Sequence, residues 1–286
     1  MKLENTLFII FISLFSINLF AYNVNNNCEN KLNTGMPAEA IEAAEKITNE
    51  YDKNFCQAKA YYRLNKLLDA ANSFEASEKF AEQPIDQMFS MLYKGISQRD
   101  AGLLDVSVQS FIKGLETAKL GNSKYMQMEQ RFLNQLGNSY LILKDGDKSL
   151  ESYSSALAIS SNDDERASNF KGVSQAYALT NDYDRAIEFG IKGSNTYQRI
   201  GDLGSYAELE IEISRYYTNL GNTEMAIKNL NSLNNFAIRN GGRYYEAKCA
   251  IELSKVYQII GNDEEANIQL KKGKAIARDI GATDLI

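Results

Sequence analysis

The sequence predicts an all-α protein built as a row of antiparallel helix hairpins, and three observations carry that prediction. The first is composition: 286 residues contain only two prolines, Pro37 and Pro84. Helix interiors exclude proline, so its scarcity favours helices. The second is an echo. Residues 219–230 read NLGNTEMAIKNL, and forty residues later 259–270 read IIGNDEEANIQL, with Gly, Asn, Glu, Ala and Leu in the same places. The third is a spacing of small residues that carries the echo back through the chain.

Taken in order, the chain opens with MKLENTLFIIFISLFSINLFA at 1–21. Lys2 gives a weak positive start, Leu7 to Phe20 form an apolar run, and a small residue, Ala21, follows. That is the layout of a secretory signal peptide, and the run is too short and too broken by Ser and Asn for a transmembrane helix. Export to a periplasm or the exterior is expected, with an uncleaved N-terminal anchor as the alternative. Residues 22–50 are read as an N-terminal cap with an incomplete repeat, and 51–286 as a solenoid of about six hairpins.

The repeat has a physical register. Small residues recur at Ala40, Ala70, Ser107, Ser149, Ala186, Ala226 and Ala266. Twelve residues before each of the last six stands another: Ala58, Gly95, Gly137, Ser174, Ser214 and Ser254. Three residues after these comes a ring in five of six copies (Tyr61, Tyr140, Tyr177, Tyr217, Tyr257), with Gln98 the exception. Two helices cross closely only where both present small side chains, and a ring one turn later fills the gap as they diverge. Turns are expected inside hairpins at Asp145-Gly146, Asn181-Asp182, Gly221-Asn222 and Gly261-Asn262. Between hairpins they are expected at Gly121, Ser161, Gly201, Gly241 and Gly281, since Gly and Asn suit the ends of helices.

This pattern, best displayed in IGDLGSYAELEIEISRYYTNLGNTEMAIKNL at 200–230, resembles the tetratricopeptide repeat (TPR). The resemblance covers about residues 38–281. Marker spacings of 30, 37, 42, 37, 40 and 40 residues depart from the usual 34, and the longer copies are similar to the forty-residue variety of kinesin light chains and of cell-polarity and bacterial regulatory adaptors. Gly190 and Gly193 depart from the pattern within one second helix, and the typical Trp is missing. The resemblance implies a right-handed superhelix that binds a protein or peptide in its concave groove.

Three cysteines are present, Cys28, Cys56 and Cys249. In such a stack Cys28 and Cys56 fall on one edge, so a disulfide between them is expected to staple the N-terminal cap. Cys249 is expected to be a buried apolar residue.

In the TPR family the first helix of each pair lines the groove. Carried over residue by residue, the groove positions are Lys59, Arg63, Arg99, Arg131, Asn134, Asn138, Lys171, Gln175, Arg215, Asn219, Lys255 and Gln258. Cations and amides predominate among them, although Asp100, Glu208 and Glu252 intervene. Arg grips a carboxylate with two parallel bonds, and Asn bonds both groups of a peptide backbone. The two-residue carboxylate clamp of some TPR proteins does not transfer. Asn138 fits one of its positions, but Gly172 stands where a polar side chain is needed.

Other chemistry is poorly supplied. The chain has no histidine, so the usual general base and zinc ligand are missing. A net charge of −6 gives no reason to expect nucleic acid. The acid runs Asp163-Asp164-Glu165 and Asp263-Glu264-Glu265 are read as helix caps rather than a metal site. No cofactor is expected, nor a membrane span once the signal is cleaved. The sequence therefore points to a non-enzymatic, exported interaction scaffold. The alternative is a sensory module that switches a partner by changing its superhelical shape.

Overall fold

In the computed structural model, which describes residues 26–286, helices alternate in direction along the whole chain. Two short helices, α1 (Asn26–Asn33) and α2 (Pro37–Ala44), come first. Six longer hairpins follow: α3 (Glu50–Arg63) with α4 (Leu67–Phe80), α5 (Pro84–Asp100) with α6 (Leu104–Leu120), and α7 (Met126–Ile142) with α8 (Gly146–Ala158). Then come α9 (Asp163–Leu179) with α10 (Tyr183–Ile200), α11 (Leu203–Asn219) with α12 (Thr223–Arg239), and α13 (Arg243–Ile259) with α14 (Asp263–Asp279). No described helix is long and apolar enough to cross a membrane. The signal-peptide reading of 1–21 lies outside the described residues.

The small residues do what their spacing requires. Ala58, Ser174, Ser214 and Ser254 in first helices are buried, as are Ala70, Ala186, Ala226 and Ala266 in second helices. Two serines in the series also bridge the crossing: Ser149 Oγ donates to the Gly137 carbonyl at 3.1 Å, and Ser174 Oγ to that of Ala186 at 2.6 Å. The recurring tyrosines have a second role. In each long hairpin the N–H of the residue just past the left-handed turn position bonds back to the carbonyl of the marker residue. Examples are Asp182 to Tyr177 at 3.0 Å, and Asn222 to Tyr217 and Asn262 to Tyr257 at 2.9 Å. This six-to-one bond closes a helix C-terminus and fixes the turn.

Gly221 and Gly261 supply the left-handed residue of that turn, with φ of 77° and 73°. In the third long hairpin the expected turn at Asp145-Gly146 is displaced by one residue. Lys144 takes the positive φ, Asp145 caps α8, and Gly146 already belongs to the helix, where a Cβ would meet Thr180. Between hairpins, Gly201, Gly241 and Gly281 are left-handed as expected, but Gly121 is not. Its neighbour Asn122 takes that conformation instead. Around Ser161 a capping box replaces it: Asn162 Oδ1 accepts from the Glu165 N–H at 2.9 Å, and Glu165 accepts from the Ser161 N–H at 2.7 Å. Asn262 Oδ1 likewise accepts from the Glu265 N–H, at 3.1 Å, at the start of α14. Both acid runs therefore sit in the first turns of helices.

The middle of the stack solves its packing with rings laid on glycines. Phe111 covers Gly95, Phe132 covers Gly114, and Tyr153 lies between Gly137 and Gly172. A Cβ at any of these glycines would run into the ring. Gly190 and Gly193, the departures in α10, likewise let it approach Ile213 and Leu209 of α11 and the α9 backbone. Cys28 and Cys56 are joined by a disulfide beside a cluster of Leu32, Ala40, Ala44 and Ile47, while Cys249 is buried as a thiol that burial pushes up to about 12.

The curvature follows from which helices touch. First helices contact one another directly, α1 with α3, α5 with α7, α7 with α9 and α11 with α13. Second helices reach mainly the first helices on either side of them. The closer layer is the inner one, so the first helices line the concave side.

Two outcomes are expected. Gly172→Val should displace the Tyr153 ring and destabilise the protein by about 1–3 kcal/mol, measured by urea unfolding. Reducing the disulfide should remove about 3 kcal/mol from the N-terminal hairpins, given a loop of 28 residues. Hydrogen exchange would show that loss concentrated in α1 to α4.

Candidate functional site

Along the inner face, side chains of one first helix reach the next at separations equal to the repeat. Lys59 Nζ bonds both oxygens of Glu29 at 2.7 Å, and Arg63 donates to the Leu32 carbonyl. Arg99 Nη1 donates to Gln135 Oε1 at 2.5 Å, and its Nε meets Asp100 at 3.0 Å. Gln175 Nε2 donates to Glu212 at 3.0 and 3.1 Å, with Lys171 at 3.9 Å from the same carboxylate. Arg215 grips Glu252 with two bonds of 2.7 and 3.1 Å, and Lys248 binds Glu208 at 2.6 Å. Much of the cation-rich face expected from the sequence is thus engaged internally.

The amides in the middle are engaged too. Asn134 Nδ2 donates to Asn169 Oδ1 at 2.9 Å, and Asn138 Nδ2 donates to Asn134 Oδ1 at 3.1 Å. The Tyr153 hydroxyl donates to Asn138 Oδ1 at 2.7 Å. Gly172 is therefore the floor for the ring that holds Asn138, which explains why no polar side chain stands there. Sequence reasoning missed Glu29, Gln135, Asn169 and Glu212 as partners. Their signal was present: a polar residue 30 to 37 positions from a groove residue lies one repeat away on the next first helix.

The face opens between α11 and α13, where a cleft of about 290 Å³ is bounded by Arg215, Asn219, Lys255 and Ile259 over Leu230 and Val256. Three residues chosen from the sequence meet there. Glu252 lies at its base with a side chain only 8% exposed, while Arg215 and Lys255 are about half exposed. Burial by itself would raise the Glu252 pKa. Hydrogen bonds from Arg215 and Lys255 outweigh that and hold the carboxyl below its ordinary value of 4.5. Two cations share one carboxylate, so the cleft keeps spare donors beside an apolar floor. The Gln258 side chain is exposed and makes no hydrogen bond among the described residues.

A larger cleft of about 480 Å³ lies on the opposite side of α7, between α6 and α8. Its lining sets Lys119 and Lys148 against Glu129 and Glu151, so its charges balance, whereas the α11–α13 cleft has two cations to one acid.

No protein-family model matches the sequence, and no curated protein matches it. Solved structures do match. A STAND signal-transduction ATPase with a tetratricopeptide-repeat sensor from Pyrococcus horikoshii superposes with TM-score 0.70 at 17% identity, over 92% of this chain and 43% of that one. The present chain therefore spans less than half of that protein. The nearly identical TPR-like repeats of a Podosopora anserina kinesin light chain give TM-score 0.62 at 16% identity, over 71% and 100%. The fold is a TPR-like solenoid. A Rap protein complexed with Competence and Sporulation Factor is similar as well, at TM-score 0.60 and 11% identity over 88% and 76%. Identities this low speak for the right-handed TPR-like architecture alone.

Glu252 makes the TPR-like groove sensitive to acid. Its folded pKa is lowered, so the unfolded chain binds more protons, and the stability it contributes is lost as pH falls through the folded pKa. Thermal unfolding followed from about pH 6 to about pH 3 should show a steeper loss for the native chain than for Glu252→Gln.

Proposed function

We propose that this chain is an exported, non-enzymatic TPR-type scaffold that binds a protein partner through an extended, acidic peptide segment laid along its inner face. The observation that carries this reading is the α11–α13 cleft, where Arg215, Asn219 and Lys255 meet beside an apolar floor. A carboxylate entering the cleft finds charge-assisted donors, and an adjacent apolar side chain finds the exposed Ile259. The rest of the inner face, including Arg131, Asn134, Asn138, Lys171, Gln175 and Gln258, is proposed to lie along the bound peptide.

Export is part of the proposal, with residues 1–21 as the signal peptide, 22–50 as the cap and 51–286 as the binding solenoid. The disulfide between Cys28 and Cys56 fits an oxidising compartment. A second reading is favoured by the bonds that tie first helices together. A ligand that draws Arg215 away from Glu252 loosens one inter-repeat contact and so changes the pitch. On that reading the protein is a sensor, the role printed for the repeats of the Pyrococcus ATPase.

Screening a random decapeptide library against the purified protein tests the proposal. Enriched sequences should be acidic, and Lys255→Glu should weaken their binding at least about tenfold by placing a like charge in the cleft. Enrichment without acidic bias, or binding that Lys255→Glu and Arg215→Glu leave intact, would overturn it.

A further inference from the structure

The inner face carries its available positive charge in two places, with a neutral stretch between them. One is the cleft at α11 and α13, where Arg215 and Lys255 share the single carboxylate of Glu252. The other is on α7. Among the groove cations named from the sequence, Lys59, Arg63, Arg99, Lys171, Arg215 and Lys255 each meet an acceptor on the protein. Among these, the Arg131 side chain alone forms no hydrogen bond or ion pair with the described residues.

Its surroundings resemble a prepared site. Gln135 lies one helical turn further on the same face, where Arg99 of α5 donates to it at 2.5 Å. Tyr93 of α5 is close enough for the charges of both Arg131 and Glu29 to act on its phenol, and Glu29 is itself held by Lys59. The acid beside this group, Asp100, is engaged by Arg99 and by the Tyr62 hydroxyl at 2.5 Å. Between the two places, Asn134, Asn138 and Asn169 bond one another, and Gln175 and Lys171 share Glu212. That middle stretch is satisfied without a ligand.

We infer that the ligand is an extended peptide with two acidic groups, one held by Arg131 with Arg99 and the other by Lys255 with Asn219, about seven or eight residues apart. The inference rests on the groove reading above and adds the spacing. From α7 to the cleft between α11 and α13 is two to three helix layers, each ~9 Å across. Arg131 stands seven residues nearer its helix N-terminus than the register position of Lys255, which adds about 10 Å along the axis. The span is therefore roughly 25 Å, and an extended chain rises about 3.3 Å per residue. A closer pair of acids reaches only one site.

The probes are amidated, acetylated Ser/Gly peptides with two glutamates separated by three, seven or eleven residues, and a one-glutamate analogue. Binding to the full chain is followed by NMR titration, which reads weak affinities. The seven-residue spacing should bind at least about tenfold tighter than the three-residue spacing and the single-glutamate peptide, since a second charged hydrogen-bonded contact is worth a factor of this order. Arg131→Gln should remove that advantage, whereas Arg278→Gln on the exposed end of α14 should not. Thermal midpoints of both variants verify folding. Equal affinity at every spacing, or a preference that survives Arg131→Gln, overturns the two-anchor inference. If Lys255→Glu still weakens that spacing-independent binding, the groove reading stands. If no acidic peptide binds, both fall.

Discussion

Everything in this molecule depends on how closely two helices cross within a hairpin. A stack of hairpins has no sheet and no central core to hold it, so each crossing must exclude water on its own. Small residues at matched positions, such as Ser174 opposite Ala186, bring the backbones together. Where a copy uses glycine instead, a ring from a neighbouring helix occupies the space, as Tyr153 does between Gly137 and Gly172. Both solutions fill the crossing. They differ in consequence, because the Tyr153 hydroxyl also reaches the inner face and holds Asn138.

The crossing sets the pitch, and the pitch sets what the inner face presents. With first helices in direct contact on the concave side, polar side chains one repeat apart come within bonding distance. Lys59 with Glu29, Gln175 with Glu212 and Arg215 with Glu252 form in this way. Such contacts across half-exposed positions contribute modestly to stability. Their larger effect is to decide which charges remain for a partner. Arg215 is divided between Glu252 and solvent, Lys255 competes for the same carboxylate, and the Arg131 side chain pairs with no acid among the described residues. The candidate ligand chemistry follows from this residue of unspent charge rather than from the total count of cations.

The fold was legible because its constraint is local and repeated. Pairs twelve residues apart and tyrosines three residues further on are set by helix geometry, which a single sequence displays directly. The left-handed positions were legible where they are Gly or Asn, and less so at Lys144, whose side chain gives no sign of a positive φ. The site was legible only as a set of positions. Arg215, Asn219 and Lys255 were identified as groove residues, and the structure places all three at one cleft. Asn134 and Asn138 were identified in the same way, and the structure turns them toward each other and toward Asn169 and Tyr153.

The sequence by itself determined the helices, their pairing and their register, because each depends on spacing along one chain. It also placed Cys28 and Cys56 on one edge, where the structure joins them. Only the tertiary structure decided which inward residues are occupied and which are available. That choice depends on distances between helices thirty to forty residues apart. Such distances are fixed by the packing of rings and glycines at crossings the polar residues do not touch.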